Sequence, residues 1–97
     1  MTHDELVKRI GALADDAGVL WCYLPDSKRL RGHRGVPDMV LAGPRGLLFA
    51  EVKTGTELEP YQHVWQAMLT KGGTGCAVWH PVALWDGTIS RAIGSIA

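Results

Sequence analysis

The sequence lacks a long apolar segment. About eighteen consecutive apolar residues are needed to cross a bilayer, and no stretch of these 97 residues approaches that length. Residues 1–5 are polar and acidic, which does not match a secretory signal. We therefore expect a cytoplasmic protein without a membrane partner, located in the host cytoplasm if it is encoded by a phage.

Cysteine is scarce, and an excess of charge of one sign is absent. Cys22 and Cys76 lie far apart in apolar segments, without the spacing of a zinc motif. This favours two free thiols in a reducing compartment over a metal site or a disulfide. Ten basic residues balance ten acidic ones. The balance argues against a simple electrostatic coat for DNA but does not exclude nucleic acid, because the distribution of charge matters more than its sum.

The charges that are present are distributed unevenly. The segment from residue 28 to residue 34 carries five basic side chains and no acid. It lies within a polar, glycine-containing stretch, residues 25–35, that we call the basic loop. We predict that its cations contact phosphate groups; the alternative is a solvated loop without a partner. The cluster consists of Lys28, Arg29, Arg31, His33 and Arg34.

The pattern of apolar residues predicts one α/β domain that spans residues 1–97. The hydrophobic fraction of 46% and the mean hydropathy of +0.02 are typical of a globular chain. A capping box at Thr2 and Glu5 starts a helix that Gly18 ends. The other predicted elements are strands over residues 19–24, 38–42, 47–53 and 75–79, a helix over residues 60–71, and a continuation of the last strand over residues 82–85. The predicted order is α-β-β-β-α-β, and the segment after residue 87 has no assignment.

The two middle strands are predicted to form a hairpin with ionisable residues at its open end. If the turn over residues 43–46 closes the hairpin, Asp38 lies directly opposite Glu51, with ~5 Å between the two Cβ atoms. Lys53 lies two residues beyond Glu51 and therefore on the same face. The remaining hairpin positions are almost all apolar, so we expect both faces of these strands to be covered.

Two opposed carboxylates predict a metal site. Like charges in this position repel each other, and a sequence selected for stability alone would not place them there. A divalent cation such as Mg²⁺ or Mn²⁺ removes the repulsion, because hard cations prefer carboxylate oxygens. Metal-assisted hydrolysis of phosphodiester bonds follows, with Lys53 stabilising charge on the phosphate. The alternative is structural: Asp38 caps a strand end while Glu51 and Lys53 form a solvated pair.

These residues resemble the PD-(D/E)xK pattern of the restriction-endonuclease-like superfamily. Residues 37–38 supply the first half of the pattern, and residues 51–53 supply the second half thirteen positions after Asp38. The longer string is similar to one branch, the VRR-NUC domain (virus-type replication-repair nuclease), over nearly the whole chain. The matching segments are Arg34-Gly35-Val36-Pro37-Asp38, Glu51-Val52-Lys53, Leu58-Glu59-Pro60-Tyr61-Gln62, Trp65, Gly72-Gly73 and Trp79-His80-Pro81.

The resemblance implies a divalent-metal phosphodiesterase with a restriction-endonuclease-like core, in which helices flank a central mixed sheet. Asp38, Glu51 and the backbone carbonyl of Val52 would bind the metal. Lys53 would be the catalytic lysine. An acidic residue on the first helix often completes such a site, and Glu5 is the candidate here, in competition with its capping role.

The resemblance also implies a substrate and an assembly. Gln62 would approach the same site from the start of the second helix. Small members of the family, mostly from phages and bacteria, are similar to Holliday-junction resolvases that act as homodimers. We therefore expect a structure-selective DNA endonuclease that cuts branched DNA as a homodimer, without a small-molecule cofactor. A nicking, flap or RNA-directed nuclease is an alternative within the same chemistry, and a non-catalytic nucleic-acid-binding module is an alternative of another class.

The large aromatic side chains have structural interpretations as well. Tyr61 and Trp65 recur at helical spacing and are predicted to belong to the core rather than to stack on bases. Trp79 and Trp85 are either core residues or part of an interface, and the sequence does not decide between these two roles.

Overall fold

The computed structural model describes residues 1–25, 29–55 and 57–97. Lys28, a member of the predicted phosphate-binding cluster, lies outside the described residues. The described part of the chain contains no helix that combines the length and the apolar character needed to span a membrane.

The described elements follow the predicted order α-β-β-β-α-β and continue with two further helices. In chain order they are α1 (His3–Asp16), β1 (Leu20–Tyr23), β2 (Met39–Gly43), β3 (Gly46–Val52), α2 (Pro60–Lys71), β4 (Gly75–Trp79), α3 (Pro81–Trp85) and α4 (Thr88–Ile96). The first three strands form an antiparallel meander, and β4 pairs with β3 in parallel. The predicted mixed sheet with flanking helices is confirmed.

The segment after β4 is helical, so the predicted continuation of the strand over residues 82–85 is wrong. Pro81 occupies the first turn of α3, where the missing N–H of proline is tolerated. Gly87, with a φ of +84°, precedes α4. The buried side of α4 carries three isoleucines at helical spacing, Ile89, Ile93 and Ile96.

The predicted capping box at the start of α1 is present in one half: Thr2 caps the helix, but the Glu5 carboxylate accepts from the Thr2 hydroxyl rather than from the Thr2 backbone N–H. The hydroxyl of Thr2 accepts a hydrogen bond from the backbone N–H of Glu5 at 3.1 Å and donates to the Glu5 carboxylate at 3.2 Å. Such a cap satisfies a free N–H of the first turn and contributes about 1 kcal/mol. It also fixes where α1 begins, and therefore which of its side chains face the sheet.

The hydrophobic core lies between one face of the sheet and the helices α1, α3 and α4. Alternate residues of β2 and β3 point into it. The core side chains are Leu6, Val7, Ile10, Ala14, Val19, Met39, Leu41, Leu48, Ala50, Val52, Trp79, Ala83, Ile89, Ile93 and Ile96. Trp79 is therefore a core residue, whereas Trp85 is exposed.

The opposite face of the sheet is covered only in part. α2 packs against β4, while the side chains of Leu20 on β1 and Leu47 on β3 are 77% and 45% exposed. In the strand register both residues are partners of Ala42. The prediction that both faces of the hairpin strands are covered is wrong at this position, because α1, α3 and α4 all pack on the other side.

Candidate active site

The β2–β3 hairpin has the register that the sequence predicts. Met39 pairs with Ala50 at the open end, so Asp38 and Glu51 are the next opposed positions. The side chain of Asp38 is held against β3, because its Oδ1 accepts a hydrogen bond from the backbone N–H of Val52 at 3.0 Å. The two carboxylates are therefore neighbours, and the charge of Asp38 acts on Glu51.

The closed end of the same hairpin is anchored to α4. The backbone N–H of Arg45 donates to the carbonyl oxygen of Ile96 at 3.0 Å. A Cβ added at Gly43 would collide with this carbonyl, so the close approach requires glycine. The contact fixes one end of the hairpin to the core, while the other end carries Asp38 and Glu51.

Glu51 is a buried acid, with 5% of its surface exposed. Its Oε2 accepts a hydrogen bond from the Nε2 of Gln62 at 3.2 Å and lies 3.9 Å from the Nζ of Lys53. Its Oε1 is buried and has no hydrogen-bond partner among the described residues. Leaving a buried polar atom unpaired costs about 1–3 kcal/mol, and more for a charged group. This oxygen is therefore free to accept a hydrogen bond from a water molecule or to bind a cation.

The two carboxyl groups hold their protons more tightly than free carboxyl groups do. Burial, followed by the charge of Asp38, raises the pKa of Glu51 from 4.5 to about 7, although Lys53 opposes the shift. Burial also raises the pKa of Asp38, although the hydrogen bond from Val52 and the contact with His3 oppose that shift. Negative charge at this site is therefore unfavourable at neutral pH, and an added cation would stabilise it.

The raised pKa of Glu51 predicts that the metal-free protein loses stability as the pH rises. The folded state keeps this proton up to about pH 7, whereas the unfolded chain releases it near pH 4.5. The stabilising contribution is complete below the lower value and is lost between the two, which amounts to about 3 kcal/mol of unfolding free energy. Urea denaturation in EDTA at a series of pH values across this interval measures the loss.

Two variants isolate this contribution. Glu51→Gln removes the titrating group and should flatten the dependence of the unfolding free energy on pH. Glu57→Gln, at an exposed position, should leave the wild-type dependence in place. If the Glu51→Gln variant follows the wild-type curve, another group is responsible.

Lys53 is the residue directly after β3. Its side chain lies on the same face of the sheet as that of Glu51, as strand alternation predicts. Its backbone N–H donates to the carbonyl oxygen of Trp79 at 2.9 Å, which continues the pairing of β3 with β4. Its side chain is 13% exposed, so the ammonium group is largely withdrawn from water beside Glu51. A cation in this position can stabilise negative charge that develops on a bound phosphate.

Gln62 reaches Glu51 from the first turn of α2. Its Oε1 accepts a hydrogen bond from the backbone N–H of Glu59 at 2.8 Å, and its Nε2 donates to Glu51 at 3.2 Å. Because the amide oxygen is engaged by a backbone donor, the NH₂ group is the part that faces the carboxylate. The start of α2 thus fixes the orientation of a hydrogen-bond donor at the site.

The last three residues of the basic loop, 33–35, are docked on α2. The indole Nε1 of Trp65 donates to the carbonyl oxygens of Arg34 at 2.8 Å and of His33 at 3.3 Å. The guanidinium of Arg34 lies 4.7 Å from the ring centroid of Tyr61, and Gly35, with a φ of +94°, packs against the Tyr61 backbone. The prediction that Tyr61 and Trp65 are core residues is wrong, because these rings hold the loop and α2 has no buried residue.

The described members of the basic cluster expose their side chains, namely Arg29, Arg31, His33 and Arg34. The loop continues through residues 35–37 directly into Asp38. The exposed cations and the buried carboxylates therefore belong to one continuous part of the structure, joined by the contacts with α2.

His3 is a contact of this site that the sequence analysis missed. Its Nε2 lies 3.0 Å from the carbonyl oxygen of Val52 and 3.2 Å from the Oδ2 of Asp38. Helical spacing is a signal that could have found it, because His3 shares a face of α1 with the buried Val7. Glu5, the acid that the resemblance implies for this helix, is exposed and takes part in the N-terminal cap.

The donor atoms at this end of the hairpin fit a hard divalent cation. The carboxylates of Asp38 and Glu51 and the carbonyl of Val52 are oxygen donors, the class that Mg²⁺ and Mn²⁺ prefer. The unpaired Oε1 of Glu51 is an atom that lacks such a partner. Within residues 1–25, 29–55 and 57–97, no three His, Cys, Asp or Glu side chains already converge on one metal-sized position. The carboxylates would therefore have to rotate to bind a cation together.

The mixed four-stranded sheet and its flanking helices define a restriction-endonuclease-like fold. No family model matches the chain, and no curated protein sequence matches it. Among solved structures, the chain is similar to one described as a VRR_NUC domain protein, with a TM-score of 0.67 and 22% sequence identity, covering 95% of this chain and 85% of that chain. The chain has the fold of that VRR_NUC domain protein, so the resemblance drawn from its sequence is confirmed at the level of the fold.

Proposed function

We propose that this chain is a divalent-metal-dependent endonuclease that hydrolyses phosphodiester bonds of branched DNA, in the manner of a Holliday-junction resolvase, as a homodimer. The observation that carries the proposal is the buried carboxylate of Glu51, which has an unpaired oxygen and lies beside Asp38 and Lys53. Burying one acid next to another destabilises a protein, and such arrangements cluster at functional sites. The fold shared with a VRR_NUC domain protein supports a nuclease.

In this proposal each residue of the cluster has a separate role. Asp38, Glu51 and the carbonyl of Val52 would hold Mg²⁺ or Mn²⁺, which would supply positive charge beside the scissile phosphate and a more nucleophilic water molecule. Lys53 stabilises the further negative charge that the phosphate acquires in the transition state. Gln62 would donate a hydrogen bond from its Nε2 to one oxygen of Glu51, Oε2, which leaves Oε1 for the cation.

The proposed homodimer follows from the symmetry of the substrate. A four-way junction needs two symmetric cuts for its resolution, and two copies of the chain related by a twofold axis supply two identical sites. The basic loop of each copy would hold the phosphate backbone beside its own carboxylates.

A fluorescently labelled four-way junction, incubated with the protein and Mg²⁺ or Mn²⁺, tests the proposal. Paired symmetric cuts, abolished by EDTA and accompanied by a dimeric mass in light scattering, are the expected result. If the protein cuts only flaps, nicked DNA or RNA, it is a nuclease with a substrate other than the four-way junction. Binding without cutting under all these conditions would identify a non-catalytic nucleic-acid-binding module and overturn the nuclease proposal.

Removing the positive charges of the basic loop should weaken binding to DNA and flatten its dependence on salt. The slope of the logarithm of affinity against the logarithm of salt concentration should fall by about 0.9 for each phosphate contact that is lost. The variant replaces Arg29, Arg31 and Arg34 by glutamine. A fluorescence-anisotropy titration in EDTA, repeated at several salt concentrations, measures both effects without cleavage.

A triple variant of equal charge serves as the control for this experiment. It replaces three exposed cations outside the basic loop, Lys8, Arg45 and Lys71, by glutamine. The control should bind with nearly the wild-type slope. If both triple variants lose the same slope, binding reflects net charge alone and the basic loop has no particular role.

A further inference from the structure

The imidazole of His3 occupies a position between two proposed metal ligands. Its Nε2 lies 3.0 Å from the carbonyl oxygen of Val52 and 3.2 Å from the Oδ2 of Asp38. One ring nitrogen carries at most one hydrogen, and a single hydrogen cannot point directly at two oxygens. A hydrogen-bonding role therefore requires one N–H to be shared between the two oxygens in a three-centre hydrogen bond.

The distances from the Nε2 of His3 to the two oxygens also have the size expected between neighbouring ligands of one cation. In an octahedral site with ligands about 2.1 Å from the metal, neighbouring ligand atoms lie about 3.0 Å apart. The separations of Nε2 from the two oxygens, 3.0 Å and 3.2 Å, have this size. Both separations are therefore compatible with Nε2 and each oxygen being neighbouring ligands of one ion.

The position of the ring is fixed by its surroundings. His3 is the first residue of α1, directly after the Thr2 cap. Its ring centroid lies 5.8 Å from that of Tyr23, with 47° between the ring planes. Its side chain is 35% exposed, so ions can reach it from solvent.

We propose that His3 supplies a nitrogen ligand to the metal of the nuclease site, and that this ligand shifts the preference of the site from Mg²⁺ toward Mn²⁺. The inference rests on the proposed metal-dependent function. Mg²⁺ is bound by oxygen donors, whereas an imidazole nitrogen favours transition-metal ions over Mg²⁺. His3 would thus supply the metal ligand from α1 that the resemblance expects from an acid. The donor atom would be a nitrogen instead of a carboxylate oxygen.

Pulsed electron paramagnetic resonance of bound Mn²⁺ tests the nitrogen ligand directly. The wild-type protein should show echo modulation from a directly coordinated ¹⁴N nucleus, and His3→Ala and His3→Glu should lack it. His63→Ala, which removes an exposed histidine of α2, should retain the signal. A circular dichroism spectrum and a thermal transition of each variant establish that it is folded.

Calorimetric titration gives the second readout. His3→Ala should weaken Mn²⁺ binding by about 10- to 100-fold and change Mg²⁺ binding much less. His3→Glu replaces the nitrogen by oxygen donors. It should reduce the difference between the affinity for Mn²⁺ and the affinity for Mg²⁺. Both readouts are independent of cleavage.

The outcomes separate this inference from the proposed function. If the wild-type protein binds Mn²⁺ without nitrogen modulation, or if His3→Ala binds it as tightly, His3 is only a hydrogen-bonding neighbour and the inference is overturned, while the metal-dependent nuclease stands. If the wild-type protein binds neither ion, the proposed function fails together with the inference.

Discussion

Replacing Glu51 by glutamine is expected to reduce cleavage by about a thousandfold or more while leaving the chain folded. The substitution keeps the shape of the side chain but removes the charge that binds the cation, and a bound metal ion contributes several kcal/mol of transition-state stabilisation. Asp38→Asn should have a similar effect, because the two acids are opposed on the hairpin. Single-turnover cleavage of a branched substrate at saturating metal measures the loss.

The stability of the Glu51→Gln variant should change in the opposite direction from its activity. Glu51 is buried beside Asp38, so removing its charge relieves both desolvation and repulsion at neutral pH. We expect a melting temperature equal to or above that of the wild-type protein in EDTA. Glu57→Gln, at an exposed position, should change neither quantity. Cleavage by Glu51→Gln at the wild-type rate would show that the candidate site is not the active site.

Replacing Lys53 by methionine should lower the cleavage rate by about a hundredfold or more while metal still binds. Methionine retains much of the apolar stem, so the loss isolates the ammonium group that is expected to stabilise charge on the phosphate. The loss should appear in the single-turnover rate constant at saturating substrate and metal. Calorimetry should show that the affinity for Mn²⁺ is largely retained.

Two further variants test whether the charge of Lys53 is what matters. Lys53→Arg keeps a positive charge and should recover part of the rate. The recovery should be incomplete, because the planar guanidinium differs in shape from the ammonium group. Lys71→Met, at the exposed end of α2, should cleave like the wild-type protein. Lys53 would be a structural residue if Lys53→Met lost metal affinity and cleavage in equal proportion.

The register of the hairpin could be predicted from the sequence, because two local rules determine it. A glycine- and proline-containing turn sets the register, and the alternation of side chains then places Lys53 on the side of Glu51. Both rules act between residues that are close in the chain. The observed pairing of Met39 with Ala50 follows from them without any knowledge of the remaining fold.

The partner of the α2 surface could not be predicted in the same way. Helical spacing shows that Tyr61 and Trp65 share a face, but it does not show what that face contacts. In the structure the face meets the backbone of Arg34 in the basic loop rather than the core. Contacts between an irregular loop and a helix depend on tertiary geometry, which periodicity does not encode.

The contribution of the first helix could be predicted only in part. The resemblance implies an acid on this helix, and Glu5 is its candidate, but Glu5 is exposed and takes part in the N-terminal cap. The buried stripe of α1 instead contains Val7 and Ile10, and His3 is the ionisable residue at the start of that stripe. Helical spacing shows that His3 lies on the face of α1 that carries Val7, whereas residue type alone does not show which face a side chain occupies.

The residues of the candidate site lie on two elements that differ in how firmly they are packed, the β2–β3 hairpin and α2. Asp38 and Glu51 lie on a hairpin that is built into the sheet and fastened to α4 at its turn. Gln62 and the ring of Tyr61, by contrast, lie on α2, which buries none of its residues. Elements with little burial open locally at low free energy. In the proposed nuclease, the two acids would therefore keep their places while α2 adjusts around the bound nucleic acid.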